Sequence, residues 1–230
     1  MNFNNKNVLV TGASRGIGKA TAMAFAKKGA KVGINYRSND EVAHQTLSEL
    51  PGEGHQLFKR DISQKSETEA LITDFVKAYG QLDVLVNNAG ISIFHEIDEV
   101  DFDHWTNAWE KTFETNLFAV ANLCYWGAKA MMKTGGGHIV SVSSRGALNS
   151  MSQSLAKKLA PHHIYVGVVA PGFTETEMAK ETLTPAEREN LLRESPFKRM
   201  AQPEAVAHAI FFLASSEAAY SSGTIIDVNG

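Results

Sequence analysis

The sequence predicts a single doubly wound α/β domain, a parallel sheet of about seven strands with helices on both faces. Three observations carry that expectation. Short β-branched runs alternate with amphipathic stretches from one end of the chain to the other. The runs are mostly apolar throughout, as strands buried on both faces are. The chain has 230 residues, 43% hydrophobic and 20% charged, which suits one α/β domain better than two small ones. Right-handed crossovers between parallel strands then select the doubly wound topology. No internal repeat or low-complexity linker divides residues 1–230, so one domain is expected.

The elements follow in order. Val8–Thr11 reads as the first strand and runs into a glycine-rich turn. Ala20, Met23, Ala24 and Ala26 then repeat at helical spacing, and Gly29 is placed to close that helix. Lys31–Tyr36 and Gln56–Arg60 are the next strands. Ala70, Ile72, Phe75, Val76 and Tyr79 form a second apolar stripe closed by Gly80. Val84–Asn87 is the fourth strand, and a long helix follows it. Its most apolar part, Leu117 to Trp126, is interrupted by Asn122 and falls short of a membrane span. His138–Ser143, Tyr165–Val169 and Thr224–Val228 complete the strands. Residues 175–200 break the rhythm with a polar stretch rich in Glu, Arg and Lys; it reads either as a lid over a ligand cleft or as an ordinary solvated helix.

Charge and cysteine content exclude whole classes. Lys and Arg number 22 against 25 Asp and Glu, a net charge of -3, so nothing draws the chain to nucleic acid or to an anionic membrane. Cys124 is the only cysteine, which rules out an internal disulfide and points to a reducing, cytoplasmic compartment. Residues 1–7 are polar and lead straight into a strand, leaving no room for a signal peptide.

The turn Thr11-Gly12-Ala13-Ser14-Arg15-Gly16-Ile17-Gly18 carries the first chemistry. Glycine lets a pyrophosphate approach backbone N–H groups, and the helix N-terminus supplies favourable partial charge. Any tight strand-to-helix turn can use a glycine, but three between a terminal strand and an amphipathic helix point to a dinucleotide. The spacing GxxxGxG departs from the commoner GxGxxG. A site that prefers NAD places an acidic residue at the end of the second strand for the ribose 2′-hydroxyl. Here that strand ends Asn35-Tyr36-Arg37-Ser38-Asn39, with no carboxylate before Asp40. Arg37 and Arg15 are positioned to converge on a 2′-phosphate, which favours NADP as the cofactor.

With these motifs in hand the chain resembles the short-chain dehydrogenase/reductase family, from residue 6 onward. Thr11–Gly18 resembles that family's cofactor turn, with Gly12, Ser14, Arg15, Gly16, Ile17 and Gly18 as cofactor contacts. Asn87-Asn88-Ala89-Gly90 is similar to its NNAG signature, which assigns Asn88, Ala89 and Gly90 to the adenosine half. Asp61-Ile62 resembles the pair that brackets the adenine. Pro171-Gly172 and Thr176 match its PG motif and the threonine that contacts the nicotinamide carboxamide. Asn116, in Thr115-Asn116-Leu117, matches the asparagine that holds a proton-relay water, and Ser144 matches the catalytic serine. Within the family the resemblance is greatest to bacterial β-ketoacyl-acyl-carrier-protein reductases and nearby sugar or alcohol dehydrogenases. It implies an NADPH-dependent reductase of a small carbonyl (or, in reverse, an alcohol dehydrogenase), a substrate that could ride on acyl carrier protein, and a homotetramer.

One part of the family's machinery is missing. Its chemistry uses a tyrosine as proton donor and a lysine four residues later that lowers the tyrosine's pKa. The physical need is plain, because a free phenol titrates near 10. The five tyrosines here are Tyr36, Tyr79, Tyr125, Tyr165 and Tyr220, and none follows the serine strand before the next one. About 15 residues are absent against the family pattern, counted to within a few. Three explanations are open: a mobile loop carrying Tyr and Lys that the sequence omits, an engineered deletion, or a natural one. The intact remainder favours the loop, and a gap between Gly146 and Asn149 would reveal it. Taken literally, the chain predicts no reductase turnover, and the alternative reading is a non-catalytic NADP-binding sensor or scaffold subunit.

Other features carry less. His95 and His104 among Glu96, Asp98, Asp101 and Asp103 fit no familiar zinc spacing, so no metal site is expected. Trp105, Trp109, Phe113 and Phe118 read as core or subunit packing. Cys124 reads as a buried, inert thiol. Arg188, Arg193, Lys198 and Arg199 could meet an acidic carrier protein.

Overall fold

The computed structural model describes residues 1–93, 95–143 and 146–229. Its strands are β1 (Asn7–Val10), β2 (Lys31–Tyr36), β3 (Gln56–Lys59), β4 (Val84–Asn87), β5 (Gly137–Val142), β6 (Ile164–Pro171) and β7 (Ile225–Val228). They form one sheet in the order β3-β2-β1-β4-β5-β6-β7, every pair parallel. The order reverses between β1 and β4, and in such sheets the crevice at the C-terminal ends of those strands is where ligands bind. β2 and β4 match the sequence expectation to the residue. β6 runs further, because Ala170 and Pro171 still pair with β7.

The helices are α1 (Gly16–Ala26), α2 (Asp40–Glu49), α3 (Lys65–Tyr79), α4 (Phe102–Phe113), α5 (Ala119–Met132), α6 (Ala147–Leu159), α7 (Glu177–Thr182), α8 (Pro185–Glu194) and α9 (Pro203–Leu213). Period-two alternation sends successive strand residues to opposite layers. In β4, Val84 and Val86 join Phe25 of α1 and Val206, Ile210 and Phe211 of α9. Leu85 goes the other way, to Leu71 and Phe75 of α3 and Leu123 of α5. Each such side chain, fully buried, contributes about 1.5–3 kcal/mol.

Local chemistry sets the helix ends. The Asn39 side chain accepts from Val42 N–H (3.0 Å) and that of Asp101 from His104 N–H (2.7 Å), each satisfying an orphan donor of a first turn. Gly80 closes α3 with φ +82°, as its position in the sequence predicts. Between α4 and α5 the chain keeps turning through a π-helical segment, Glu114–Phe118, so that residues 102–132 form one long rod.

Residues 175–200 form an excursion with a pinned base. Glu175 N–H bonds Ala201 C=O (2.8 Å), and Ala201 N–H bonds Phe173 C=O (3.1 Å). Beyond that clamp lie α7 and α8, and α8 buries no residue. The stretch is a solvated helix pair carried on a fixed root.

Candidate active site

The site is assembled from two strand ends far apart in sequence, and one hydroxyl joins them. Thr11, directly after β1, is fully buried. Its Oγ1 accepts from the N–H groups of Asn88 and Ala89, both at 3.0 Å, and donates to Val86 C=O at 3.3 Å. Asn88 returns the link, donating through Nδ2 to Thr11 C=O (2.9 Å) and Gly12 C=O (3.2 Å). Neither segment keeps its shape without the other. Sequence reasoning did not single out Thr11; a threonine between a buried strand and a glycine turn is the signal that marks it.

The glycines have a geometric requirement here. Gly12 sits at φ +61°, and a Cβ on it would stand 2.8 Å from Ala89 Cα. A Cβ on Gly18 would stand 2.3 Å from Gly12 O and 2.6 Å from Asn88 Nδ2. Only glycine lets the turn close on the NNAG strand. Ala13 N–H bonds Asn35 C=O (2.9 Å), and Thr46 Oγ1 donates to Ser14 C=O (2.7 Å), so β2 and α2 brace the turn from behind. Arg15 is the N-cap of α1 and caps nothing with its side chain. The N–H groups of Gly16, Ile17 and Gly18 therefore have no partner within the helix, and they form the kind of anion cradle a pyrophosphate requires. The residues present fit a dinucleotide.

The cofactor-specificity residues divide. Arg37 is exposed beyond β2, in no ion pair among the described residues. Arg15 is not free: its Nη1 lies 3.2 Å from Glu181 Oε1 on α7. The first carboxylate after β2, Asp40, is held by Lys59 Nζ (2.6 Å) and Tyr36 Oη (2.7 Å). Those two hydrogen bonds, Lys59 first, hold its carboxyl below the usual range. Asp61 accepts from Ser63 N–H (3.1 Å) and Ser63 Oγ (2.8 Å), an Asx turn leading to α3. Ile62 is buried in the core beside Phe58 and Leu71, so its side chain is a packing element as much as a ligand wall.

Asn116 lies inside the π-helical segment, a distortion common at functional positions. Its Nδ2 donates to Ile91 C=O and its Oδ1 accepts from Ile91 N–H, both at 2.9 Å. The amide is fixed to the backbone just past Gly90, with one N–H and one lone pair left over. Ser144 lies outside the described residues. Pro171 ends β6, Gly172 N–H bonds Val228 C=O (3.0 Å), and Thr176 caps α7 by accepting from Ala179 N–H (3.2 Å). Of the basic residues on the 175–200 excursion, Arg188 is paired with Glu175, and Arg193 donates to Asn190 Oδ1 (2.8 Å).

Past the serine strand the described structure resumes at Gly146. Asn149 N–H bonds Gly146 C=O at 3.1 Å, and α6 proceeds directly from Gly146. The sequence carries no tyrosine between Ser144 and Ile164, where the family pattern puts one. Two of the tyrosines elsewhere in the fold are engaged in other bonds. Tyr36 donates to Asp40, and that bond pushes its phenol up to about 12. Tyr79 donates to Gly54 C=O (2.8 Å), and burial pushes it up as well. Both move away from the value a proton donor needs. Cys124 is buried, its thiol pushed up to about 12 by desolvation, in keeping with an inert side chain. Among the described residues no cluster of His, Cys, Asp or Glu gathers as a metal site would, and no helix is long and apolar enough to cross a membrane.

Comparison with known proteins agrees with this geometry. Residues 6–187 match the model of the short chain dehydrogenase family. The chain is similar to the 3-oxoacyl-[acyl-carrier-protein] reductase FabG of Escherichia coli, 35% identical over 246 positions covering 100% of this chain and 98% of the relative. Since 246 positions are aligned against 230 residues, at least 16 of them face no residue here. A short chain dehydrogenase from Burkholderia cenocepacia in complex with NADP matches with a TM-score of 0.89 at 28% identity, covering 100% of this chain and 98% of that one. A 7α-hydroxysteroid dehydrogenase complexed with NADH and 7-oxo glycochenodeoxycholic acid matches at 0.90 and 30%, covering 100% and 94%.

Proposed function

The chain belongs to the short chain dehydrogenase family, and on that premise we propose an NADP(H)-dependent oxidoreductase for a small carbonyl or alcohol, with a β-ketoacyl thioester, free or on acyl carrier protein, as the substrate class. The observation that carries it is the glycine turn bound to Asn88 and Ala89 at the sheet's switch point, where side chains are excluded and N–H groups are free. Gly12 and Gly16–Gly18 would hold the pyrophosphate, Asn88–Gly90 and Asp61–Ile62 the adenosine, Arg37 and Arg15 the 2′-phosphate, and Pro171, Gly172 and Thr176 the nicotinamide. Bound NADPH supplies the hydride. Ser144 polarises the carbonyl and Asn116 holds a water beside Ile91. The exposed aromatic stripe of Trp109, Phe113 and Phe118 supports packing against further copies in a homotetramer, and the single cysteine supports a cytoplasmic location.

The missing tyrosine and lysine favour a second reading, a non-catalytic NADP-holding sensor or scaffold subunit. General acid catalysis is worth about 10²–10⁴-fold, so any turnover by this chain should fall at least about 10²-fold below that of a relative carrying the pair. The test titrates NADPH by nicotinamide fluorescence, then follows its oxidation with an acetoacetyl thioester. The assay is repeated after a Tyr-x-x-x-Lys segment is inserted between Gly146 and Asn149. Binding with slow turnover, raised by the insertion, supports the first reading. Binding with no turnover before or after insertion supports the second. Failure to bind NADPH overturns both.

A further inference from the structure

Arg15 has two claims on it. It is the N-cap residue of the phosphate cradle, yet its Nη1 lies 3.2 Å from Glu181 Oε1, both side chains more than half exposed. Glu181 is on α7, whose start also lies against the turn: a Cβ on Gly16 would meet Thr176 Cγ2 at 3.4 Å and Glu177 Oε2 at 3.9 Å. The first helix of the excursion therefore lies along the phosphate-binding turn, its N-terminus beside Gly16 and its penultimate residue on Arg15. The root of the excursion is pinned separately at Ala201, so the ion pair can break without releasing the whole segment.

From this we propose that Glu181 is a specificity-determining residue that competes with the cofactor's 2′-phosphate for Arg15, lowering affinity for NADP(H) and leaving affinity for NAD(H) untouched. The inference rests on the NADP reading above. A 2′-phosphate carries more negative charge than one carboxylate and attracts Arg15 more strongly. To reach it, Arg15 must leave Glu181, and that cost falls only on the cofactor bearing the phosphate. Coupling is reciprocal: NADPH loosens the contact of α7 with the turn, and NADH does not. Arg37, in no ion pair among the described residues, carries no such cost. The carboxylate thus tunes a site whose basic residues would otherwise favour NADP more strongly.

An exposed ion pair changes an equilibrium by roughly 1.4- to 5-fold. The test measures dissociation constants for NADPH and NADH by nicotinamide fluorescence on the full chain, its E181Q and R15A variants and the double variant. E181Q is expected to tighten NADPH by about that factor, to leave NADH unchanged, and to have no effect once Arg15 is alanine. An equal shift for both cofactors, no shift in either, or an effect that persists in the R15A background overturns the proposal. If R15A and R37A each leave the NADPH-to-NADH ratio unchanged, the NADP reading itself fails and this one with it. If R15A lowers the ratio and E181Q is silent, only the role of Glu181 fails.

Discussion

His138 makes this fold sensitive to acid from the side of the sheet opposite the cofactor. It opens β5 at its N-terminal end, where its N–H bonds Asp83 C=O (2.9 Å) and its ring lies 5.1 Å from that of Tyr165. Its Nε2 is buried with no hydrogen-bond partner. Burial, and secondarily the charge of Lys6, push its pKa down to about 4 from an ordinary 6.5. The unfolded chain therefore takes up a proton between those values that the folded one refuses, and stability falls as pH falls through that window. The contribution is complete above about pH 6.5. About 2 kcal/mol of it is lost by pH 5, and roughly 3 kcal/mol by pH 4. The assay is urea unfolding at pH 8 and pH 5 for the natural chain and for His138→Phe, which keeps a ring beside Tyr165 and cannot titrate. The natural chain should lose about 2 kcal/mol more between the two pH values than the variant. Equal losses would refute the assignment, because the carboxylates that also titrate there are common to both.

Other perturbations address the site itself. Thr11→Val keeps the shape and removes the hydroxyl, leaving the Asn88 and Ala89 N–H groups without their acceptor; about 2–4 kcal/mol of stability should go, and NADPH binding should weaken when titrated by fluorescence. Gly18→Ala drives a Cβ to 2.3 Å from a backbone oxygen, so the turn must shift, and NADPH affinity should fall by at least about 10-fold with secondary structure retained by circular dichroism. Phe118→Glu places a charge on the exposed aromatic stripe of the long helix; sedimentation velocity should show a smaller assembly than that of the natural chain, and an unchanged one removes this face from the proposed tetramer.

Most of the architecture was legible because local pattern and global packing agree. The apolar runs of β2 and β4 are bounded by residues that cannot continue them, and their ends came out to the residue. The glycine turn was legible for a similar reason, since its spacing encodes a steric requirement that the contact between Gly18 and Gly12 O makes visible. What escaped is what depends on long-range partners. Nothing near Arg15 in sequence announces Glu181, 166 residues away. The π-helical turn around Asn116 spans only Glu114–Phe118, too few residues for the shift of the apolar stripe it causes to stand out in the sequence.

The hydroxyl of Thr11 also fixes when the site can come into being. The groups it joins are 77 and 78 residues further along the chain, and in the sheet β4 must lie beside β1 before they meet. A nascent chain that has made β1, the glycine turn and α1 holds every residue of the cradle and none of its shape. Cofactor can be captured only after residue 90 has emerged and a parallel pairing with high loop-closure cost has formed. Binding therefore reports the pairing of β1 with β4, and a dinucleotide present during synthesis would stabilise the half-made protein from that point onward and not before.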